Sequence, residues 1–164
     1  MGSYNEGKQE AVKWIFEHFS KGSACLDVGA CNGKWFDLLG DYMVMDAVEV
    51  WPPYIHKYRL QEKYRMVFGS AVQFYQYNYY DLIIFGDVLE HMSVDDARRV
   101  IEYAMPRCTD MLIAVPFLYK QGAKNNNPWE RHLQDDLTHE IFMKRFPGFR
   151  PIYLSDKYAY YVKE

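Results

Sequence analysis

The segment Ala24-Cys25-Leu26-Asp27-Val28-Gly29-Ala30-Cys31-Asn32-Gly33, continued by Lys34 to Leu39, constrains the fold more than any other. Cys25, Leu26 and Val28 make a short apolar run of the kind a buried strand carries. The run passes through glycine directly into the helical pattern Trp35, Phe36, Leu38 and Leu39, with Gly40 at its end. Gly29 and Gly33 let backbone approach something that a side chain would exclude. A helix opening at such a turn offers free N–H groups and the positive end of its dipole to an anionic group. Strand, turn and helix together describe a nucleotide or cofactor cradle, although glycines after a strand also serve ordinary tight turns.

The next apolar run, Val44 to Val50, carries Glu49 near its end. In a strand-helix-strand unit an acidic residue about 20 positions past the glycine turn reaches the end of the neighbouring strand, where a ribose diol sits. A carboxylate suits that place because it accepts both hydroxyl protons. Asp46 competes for the role but lies three residues earlier, deeper in the strand.

Around this unit the chain alternates strand and helix signals. Val12, Ile15, Phe16 and Phe19 fall at i, i+3, i+4 and i+7, one stripe of a first helix that Gly22 closes. Pro52-Pro53 stops the second strand, and Tyr54 to Gln61 reads as a crossover helix with Pro53 in its first turn. Tyr64 to Phe68 reads as a third strand ended by Gly69-Ser70-Ala71. Leu82-Ile83-Ile84-Phe85 is a continuous apolar run, as in a parallel strand buried on both faces, and it ends in Gly86-Asp87. Ser93-Val94-Asp95-Asp96 has the form of a capping box ahead of the stripe Ala97, Val100, Ile101 and Ala104. Met111 to Val115 is a fifth strand ended by Pro116. Such alternation implies a parallel sheet wound with helices on both faces, with ligands outside the carboxyl ends of the strands. Gly29, Glu49, Ser70 and Asp87 all map to that edge.

Composition removes several alternatives. The 164 residues have room for one domain, and 19 lysines and arginines against 22 aspartates and glutamates give a net charge of −3. That balance disfavours nucleic acid as a sole partner, and the basic stretch His56, Lys57, Arg59, Lys63 and Arg65 reads as a solvated helix face. Cysteines at 25, 31 and 108 have neither a disulfide pattern nor metal-ligand spacing, so no metal site is expected and reduced thiols fit a cytoplasmic protein. No run is long enough to span a membrane, and the N-terminus shows no charged-then-apolar signal pattern.

With these residues in place the chain resembles the class I S-adenosylmethionine-dependent methyltransferases over roughly residues 8 to 117, with the tail extending the likeness to its end. Leu26 to Gly33 is similar to that family's first motif, and Val48-Glu49-Val50 with Pro52 to its second strand and ribose-binding acid. Tyr80-Asp81-Leu82-Ile83-Ile84-Phe85-Gly86-Asp87-Val88-Leu89-Glu90-His91 is the strongest match. The resemblance implies a Rossmann-like α/β fold: a seven-stranded, mostly parallel sheet of order 3-2-1-4-5-7-6, helices on both faces in three α/β/α layers, and an antiparallel C-terminal hairpin. It implies S-adenosyl-L-methionine as cofactor and S-adenosyl-L-homocysteine as product. Asp27, Gly29, Ala30, Cys31 and Gly33 would then approach the methionine portion, Glu49 and Val50 the ribose, Ser70-Ala71 the adenine edge, and Asp87 with Val88 the region near the sulfonium. Cys31 stands where the family has a glycine, and Ser70 where an adenine-contacting aspartate is frequent.

The chain divides into an N-terminal helix (5–23), a cofactor-binding half (24–116), an acceptor-side loop (117–137) and a closing helix and hairpin (138–164). The loop is long, polar and without periodicity, as lids and binding loops often are. It contains Asn127-Pro128-Trp129-Glu130-Arg131-His132-Leu133, where a parallel sheet places an acceptor pocket, so Trp129 and Glu130 are candidate pocket residues. Thr138 can cap a last helix using Ile141, Phe142 and Phe146, and Phe149 to Leu154 with Tyr158 to Val162 reads as the hairpin. A sulfonium is already an activated methyl donor, so only an acceptor that must lose a proton needs a base; His91 and His132 are the candidates. The leading reading is methyl transfer to oxygen or nitrogen of a small molecule or sugar. Two others stay open: a non-catalytic binding or scaffold domain of the same fold, and a nicotinamide-dependent oxidoreductase, against which the absence of Gly-x-Gly-x-x-Gly spacing counts. The chain also lacks the Asn/Asp-Pro-Pro-Tyr/Phe run of many nucleobase and glutamine N-methyltransferases.

Overall fold

The computed structural model describes residues 5–164; residues 1–4 of the expected domain lie outside the described residues. The elements are α1 (Lys8–His18), β1 (Ala24–Val28), α2 (Lys34–Leu39), β2 (Val44–Val48), α3 (Pro52–Lys57), α4 (Leu60–Lys63), β3 (Val67–Phe68), β4 (Tyr80–Gly86), α5 (Val94–Ala104), β5 (Cys108–Pro116), α6 (His139–Arg145), β6 (Phe149–Leu154) and β7 (Tyr158–Lys163). They build one seven-stranded sheet of order β3-β2-β1-β4-β5-β7-β6. Every pairing is parallel except those of β7, which runs antiparallel between β5 and β6. The architecture expected from the sequence is therefore present, closing hairpin included.

Strand side chains point to opposite faces with a period of two, and the core divides accordingly. Leu26, Val28, Ile83, Phe85, Met111, Ile113 and Tyr161 face α5 and α6, whose Ala97, Val100, Ile101 and Phe142 cover them. Cys25, Leu82, Ile84, Leu112 and Tyr160 face the other way, under Ala11, Trp14 and Ile15 of α1, Trp35 and Leu39 of α2, and Leu60 of α4. These are three layers. The continuous apolar runs seen in the sequence follow directly, because a central parallel strand must be apolar at odd and even positions alike.

Several elements depart from expectation. The buried stripe of α1 is Ala11, Trp14 and Ile15, joined by Lys8, while Phe16 is exposed and packs edge-on against Tyr42 at 4.6 Å between ring centres. A small residue, Ala11, faces the sheet at the centre of the contact, which rotates the expected stripe. The crossover helix is two short pieces, because Arg59 adopts a left-handed conformation (φ 53°) that lets Leu60 turn fully inward. The third strand shrinks to Val67–Phe68 because Tyr64 turns into the interior towards Asp27. The second strand ends at Val48, two residues early, where Glu49 turns its carboxylate back to the backbone of Cys31 and Trp51. The caps expected at Ser93 and Thr138 form, accepting from Asp96 N at 3.1 Å and Ile141 N at 3.2 Å. Among the described residues no helix is long and apolar enough to cross a membrane.

Candidate cofactor and active site

The carboxyl ends of β1, β2 and β4 open into a cavity of 660 Å³. Gly29 to Asn32, Glu49 and Val50, and Gly86 to Val88 supply its inner wall, and the long loop supplies the outer one through Phe117 to Tyr119 and Asn127 to Leu133.

The first turn hooks over the end of β2. Gly29 N and Ala30 N both donate to Val48 O, at 2.8 and 3.2 Å. Gly29 is left-handed (φ 72°), and the space its missing Cβ would take is filled by Cγ2 of Val88. Cys31 N then donates to Oε2 of Glu49 at 2.8 Å, while Trp51 N donates to Oε1 at 2.8 Å. One buried carboxylate thus clasps the turn to the end of β2. Burial raises the Glu49 carboxyl above its usual range, and the two backbone donors oppose that rise. Cys31 is itself left-handed (φ 48°) and lines the cavity as a neutral thiol, pushed by burial to about 11.

Asp27 lies beneath this turn and outside the cavity lining, 1% exposed. The Tyr64 hydroxyl donates to its Oδ2 at 2.5 Å, and its Oδ1 has no hydrogen-bond partner among the described residues. Burial pushes this carboxyl up to about 7, against the pull of the Tyr64 bond and of Lys8. Gly33 also lies behind the cavity, facing the Lys63 side chain. Ser70 and Ala71 stand outside the lining, Ser70 Oγ donating to Ala71 O at 3.1 Å; Val72 and Gln73 of the following turn take the wall position instead.

At the end of β4, Asp87 is left-handed (φ 57°), its N–H donates to Ala114 O at 3.1 Å, and Tyr158 donates a short hydrogen bond to its Oδ1. Glu130 is buried, accepting from the Tyr54 hydroxyl at 3.0 Å and from Gln121 Nε2 at 3.0 Å, so its carboxylate braces the loop against α3. Trp129 is 43% exposed and forms part of the cavity rim.

His91 and His132 come together although the long loop separates them in sequence. Their rings meet edge-on with centres 4.7 Å apart. His91 Nδ1 lies 3.2 Å from Arg131 O and His132 Nδ1 lies 2.7 Å from Tyr119 O. A carbonyl only accepts, so each Nδ1 carries the hydrogen and each Nε2 keeps its lone pair. Burial lowers both imidazoles, His91 to about 4 with His132 adding to the effect, so both are neutral near pH 7. Between them stands Glu90, 1% exposed, its Oε1 at 4.0 Å from each Nε2.

Sequence reasoning missed Glu90, Lys8, Tyr54, Tyr64 and Tyr158. Lys8 is buried with its Nζ 4.8 Å from the Trp35 ring centre, its charge felt by Asp87 and Asp27 while burial pulls it down to about 8. A signal existed, since Lys8 stands one turn before Ala11 on the buried face. Of the 15 tyrosines, Tyr54, Tyr64, Tyr80 and Tyr158 each give a hydroxyl to a carboxylate, on Glu130, Asp27, Asp46 and Asp87. Asp46, the competitor to Glu49, is occupied in this way and by Arg65.

The sequence matches no protein-family model and no curated protein. Solved structures do match. An S-adenosylmethionine-dependent methyltransferase of Clostridium acetobutylicum superposes with a TM-score of 0.72 at 10% identity, covering 97% of this chain and 90% of the other. The 1,6-didemethyltoxoflavin-N1-methyltransferase of Burkholderia thailandensis, solved with bound 1,6-didemethyltoxoflavin and S-adenosylhomocysteine, gives 0.67 at 15% identity over 96% of this chain and 77% of the other. The mitomycin 7-O-methyltransferase MmcR gives 0.65 at 12% identity over 96% of this chain, which spans 54% of that protein's length. Strand order, closing hairpin and these superpositions agree: the chain has the fold of the class I S-adenosylmethionine-dependent methyltransferases.

Proposed function

We propose that this chain transfers the methyl group of S-adenosylmethionine to an oxygen or nitrogen of a small molecule, releasing S-adenosylhomocysteine. The observation that carries the reading is the Glu49 clasp, a buried carboxylate at the end of β2 that holds the glycine turn and borders the cavity. The residues present fit the cofactor. Ionised Glu49 has lone pairs beyond the two its backbone donors use, as a pair of ribose hydroxyls requires. The cradle at Gly29 closes if a Cβ is added, because Val88 already occupies that space. The volume of 660 Å³ falls within the roughly 300–1,000 Å³ of ligand sites. Asp87 and Glu130 border the same cavity, and carboxylates there suit a cationic sulfonium.

The cofactor supplies an electrophilic methyl group; the chain supplies position and exclusion of water. Glu49, Gly29 and Ala30 would hold the adenosyl and methionine portions, with Val50 beside the ribose and Asp87, fixed by Tyr158, beside the reacting end. Val72 and Gln73 take the wall position at the adenine edge, with Ser70 and Ala71 behind them and outside the lining. Phe117, Leu118 and Trp129 close the outer side, where the acceptor enters. His91 and His132, neutral and with Nε2 free of a hydrogen, are placed to take up a hydroxyl proton, although His91 at about 4 is a weak base.

The test is to incubate the chain with S-adenosylmethionine carrying a trideuterated methyl group and fractions of a metabolite extract. The expected result is release of S-adenosylhomocysteine that depends on a particular fraction, together with a small product bearing the label. Cofactor binding with no labelled product in any fraction would instead identify a binding domain.

A further inference from the structure

We propose that Glu90, His91 and His132 form a binding site for a divalent transition-metal ion, and that this ion takes the hydroxyl oxygen of the methyl acceptor. The first half stands on the side chains alone; the second rests on the methyltransferase reading.

The ligand-bearing atoms of the three residues lie within 4.8 Å of one another. A cation with bonds of about 2.1 Å brings neighbouring ligand atoms to roughly 3–3.5 Å, so small side-chain rotations close the set. The second shell is already built. Each imidazole donates from Nδ1 to a backbone carbonyl, of Arg131 or Tyr119, which fixes the tautomer that leaves Nε2 available, the arrangement that orients metal-binding histidines. Both Nε2 atoms face the same carboxylate oxygen at 4.0 Å. The Glu90 carboxylate is the independent sign of a ligand. It is 1% exposed, and neither oxygen has a hydrogen-bond partner among the described residues. A carboxylate buried so completely without a donor is costly unless it is neutralised, and a carboxyl proton would find no acceptor here, since each Nε2 stands 4.0 Å away, whereas a cation seated among the three reaches all of them.

Backbone contacts hold the three residues in one frame. Leu133 N and Gln134 N donate to Glu90 O at 2.8 and 3.1 Å, and His132 N donates to Gln121 O at 2.9 Å. The loop is thereby fastened to the turn that carries Glu90 and His91.

Two imidazoles and one carboxylate suit zinc, iron, cobalt or manganese better than magnesium or calcium, which prefer oxygen throughout. Three protein ligands leave coordination positions for another molecule, as in catalytic rather than structural sites. All three residues border the cavity, so those positions are accessible to an acceptor. A coordinated hydroxyl ionises at lower pH than a free one. With both Nε2 lone pairs on the ion neither imidazole can act as the base, so the acceptor O–H proton leaves to solvent, the oxygen lone pair forms the bond to the methyl carbon, and the carbon–sulfur pair stays on sulfur.

The test uses the whole chain after treatment with a chelator. Titration with Co²⁺ is expected to give visible absorption saturating at one equivalent and displaced by Zn²⁺. Glu90→Gln and His132→Gln are expected to weaken binding at least 100-fold, while His139→Gln, outside the cluster, leaves it unchanged. Addition of acetohydroxamate, an oxygen chelator, is expected to shift the cobalt bands. Absence of cobalt bands in the wild-type chain, or undiminished binding in both cluster variants, overturns the site; bands indifferent to acetohydroxamate overturn the acceptor role. The wild-type titration does not depend on any variant folding. A parallel titration with S-adenosylhomocysteine separates the two readings: metal without adenosyl binding rejects the methyltransferase reading, and adenosyl binding without metal rejects this site.

Discussion

Replacing Glu49 by glutamine tests whether one carboxylate both closes the glycine turn and receives the ribose. Its oxygens accept from Cys31 N and Trp51 N at 2.8 Å each. Glutamine keeps one acceptor and turns a second N–H donor towards one of these groups. A hydrogen bond to a charged group contributes about 1.5–3 kcal/mol, and leaving an uncharged amide where burial disfavours the carboxylate returns part of it. The net loss in the free chain is about 1–2 kcal/mol, which for a chain of this size lowers Tm by about 2–8 °C. In the complex one further charged acceptor is lost to the ribose, and at about 1.4 kcal/mol per tenfold this weakens S-adenosylhomocysteine binding about 10- to 150-fold. Calorimetric titration and thermal unfolding of the same preparation measure both. A full drop in Tm with unchanged affinity would refute the double role and leave Glu49 as a turn brace.

Gly29→Ala places a Cβ on Val88 in a left-handed backbone, combining about 1–2 kcal/mol of conformational cost with about 1–3 kcal/mol of overpacking, so Tm is expected to fall by roughly 5 °C or more. Cys31→Gly relieves left-handed backbone but enlarges the freedom of the unfolded chain; stability should change by less than about 1 kcal/mol in urea unfolding, with adenosyl affinity equal or higher. Asp27 holds its proton up to about 7 when folded against 3.8 ordinarily, so the native chain binds the extra proton between those values. Stability of the cofactor-free chain therefore falls as pH rises through that window, by up to about 4 kcal/mol, and levels above it. Asp27→Asn should flatten this slope in urea unfolding measured from pH 4 to 8; an unchanged slope would place the titration elsewhere.

The parts legible in the sequence are those encoded locally. Apolar runs fixed the central strands, the spacing from Gly29 to Glu49 located the clasp, and Gly86-Asp87 marked the end of β4. What escaped depends on rotation, breaks and distance. Helix periodicity names a stripe but not which of two overlapping stripes meets the sheet, and Ala11 with Lys8 displaced Phe16. A left-handed Arg59 is invisible to propensity because only tertiary burial of Leu60 favours it. The cluster of Glu90, His91 and His132 lacks any short-range spacing: a loop folded back by its own backbone hydrogen bonds makes it. Tyrosine hydroxyls aimed at buried carboxylates likewise link elements far apart in the chain, Tyr158 with Asp87 and Tyr54 with Glu130 among them.

The most direct test of the cofactor assignment is calorimetric titration of the wild-type chain with S-adenosylhomocysteine, with NAD run in parallel. Saturable binding of one equivalent of the adenosyl ligand is expected, with no heat from NAD. Heat with NAD alone, or with neither ligand in a chain shown by thermal unfolding to be folded, would contradict the assignment.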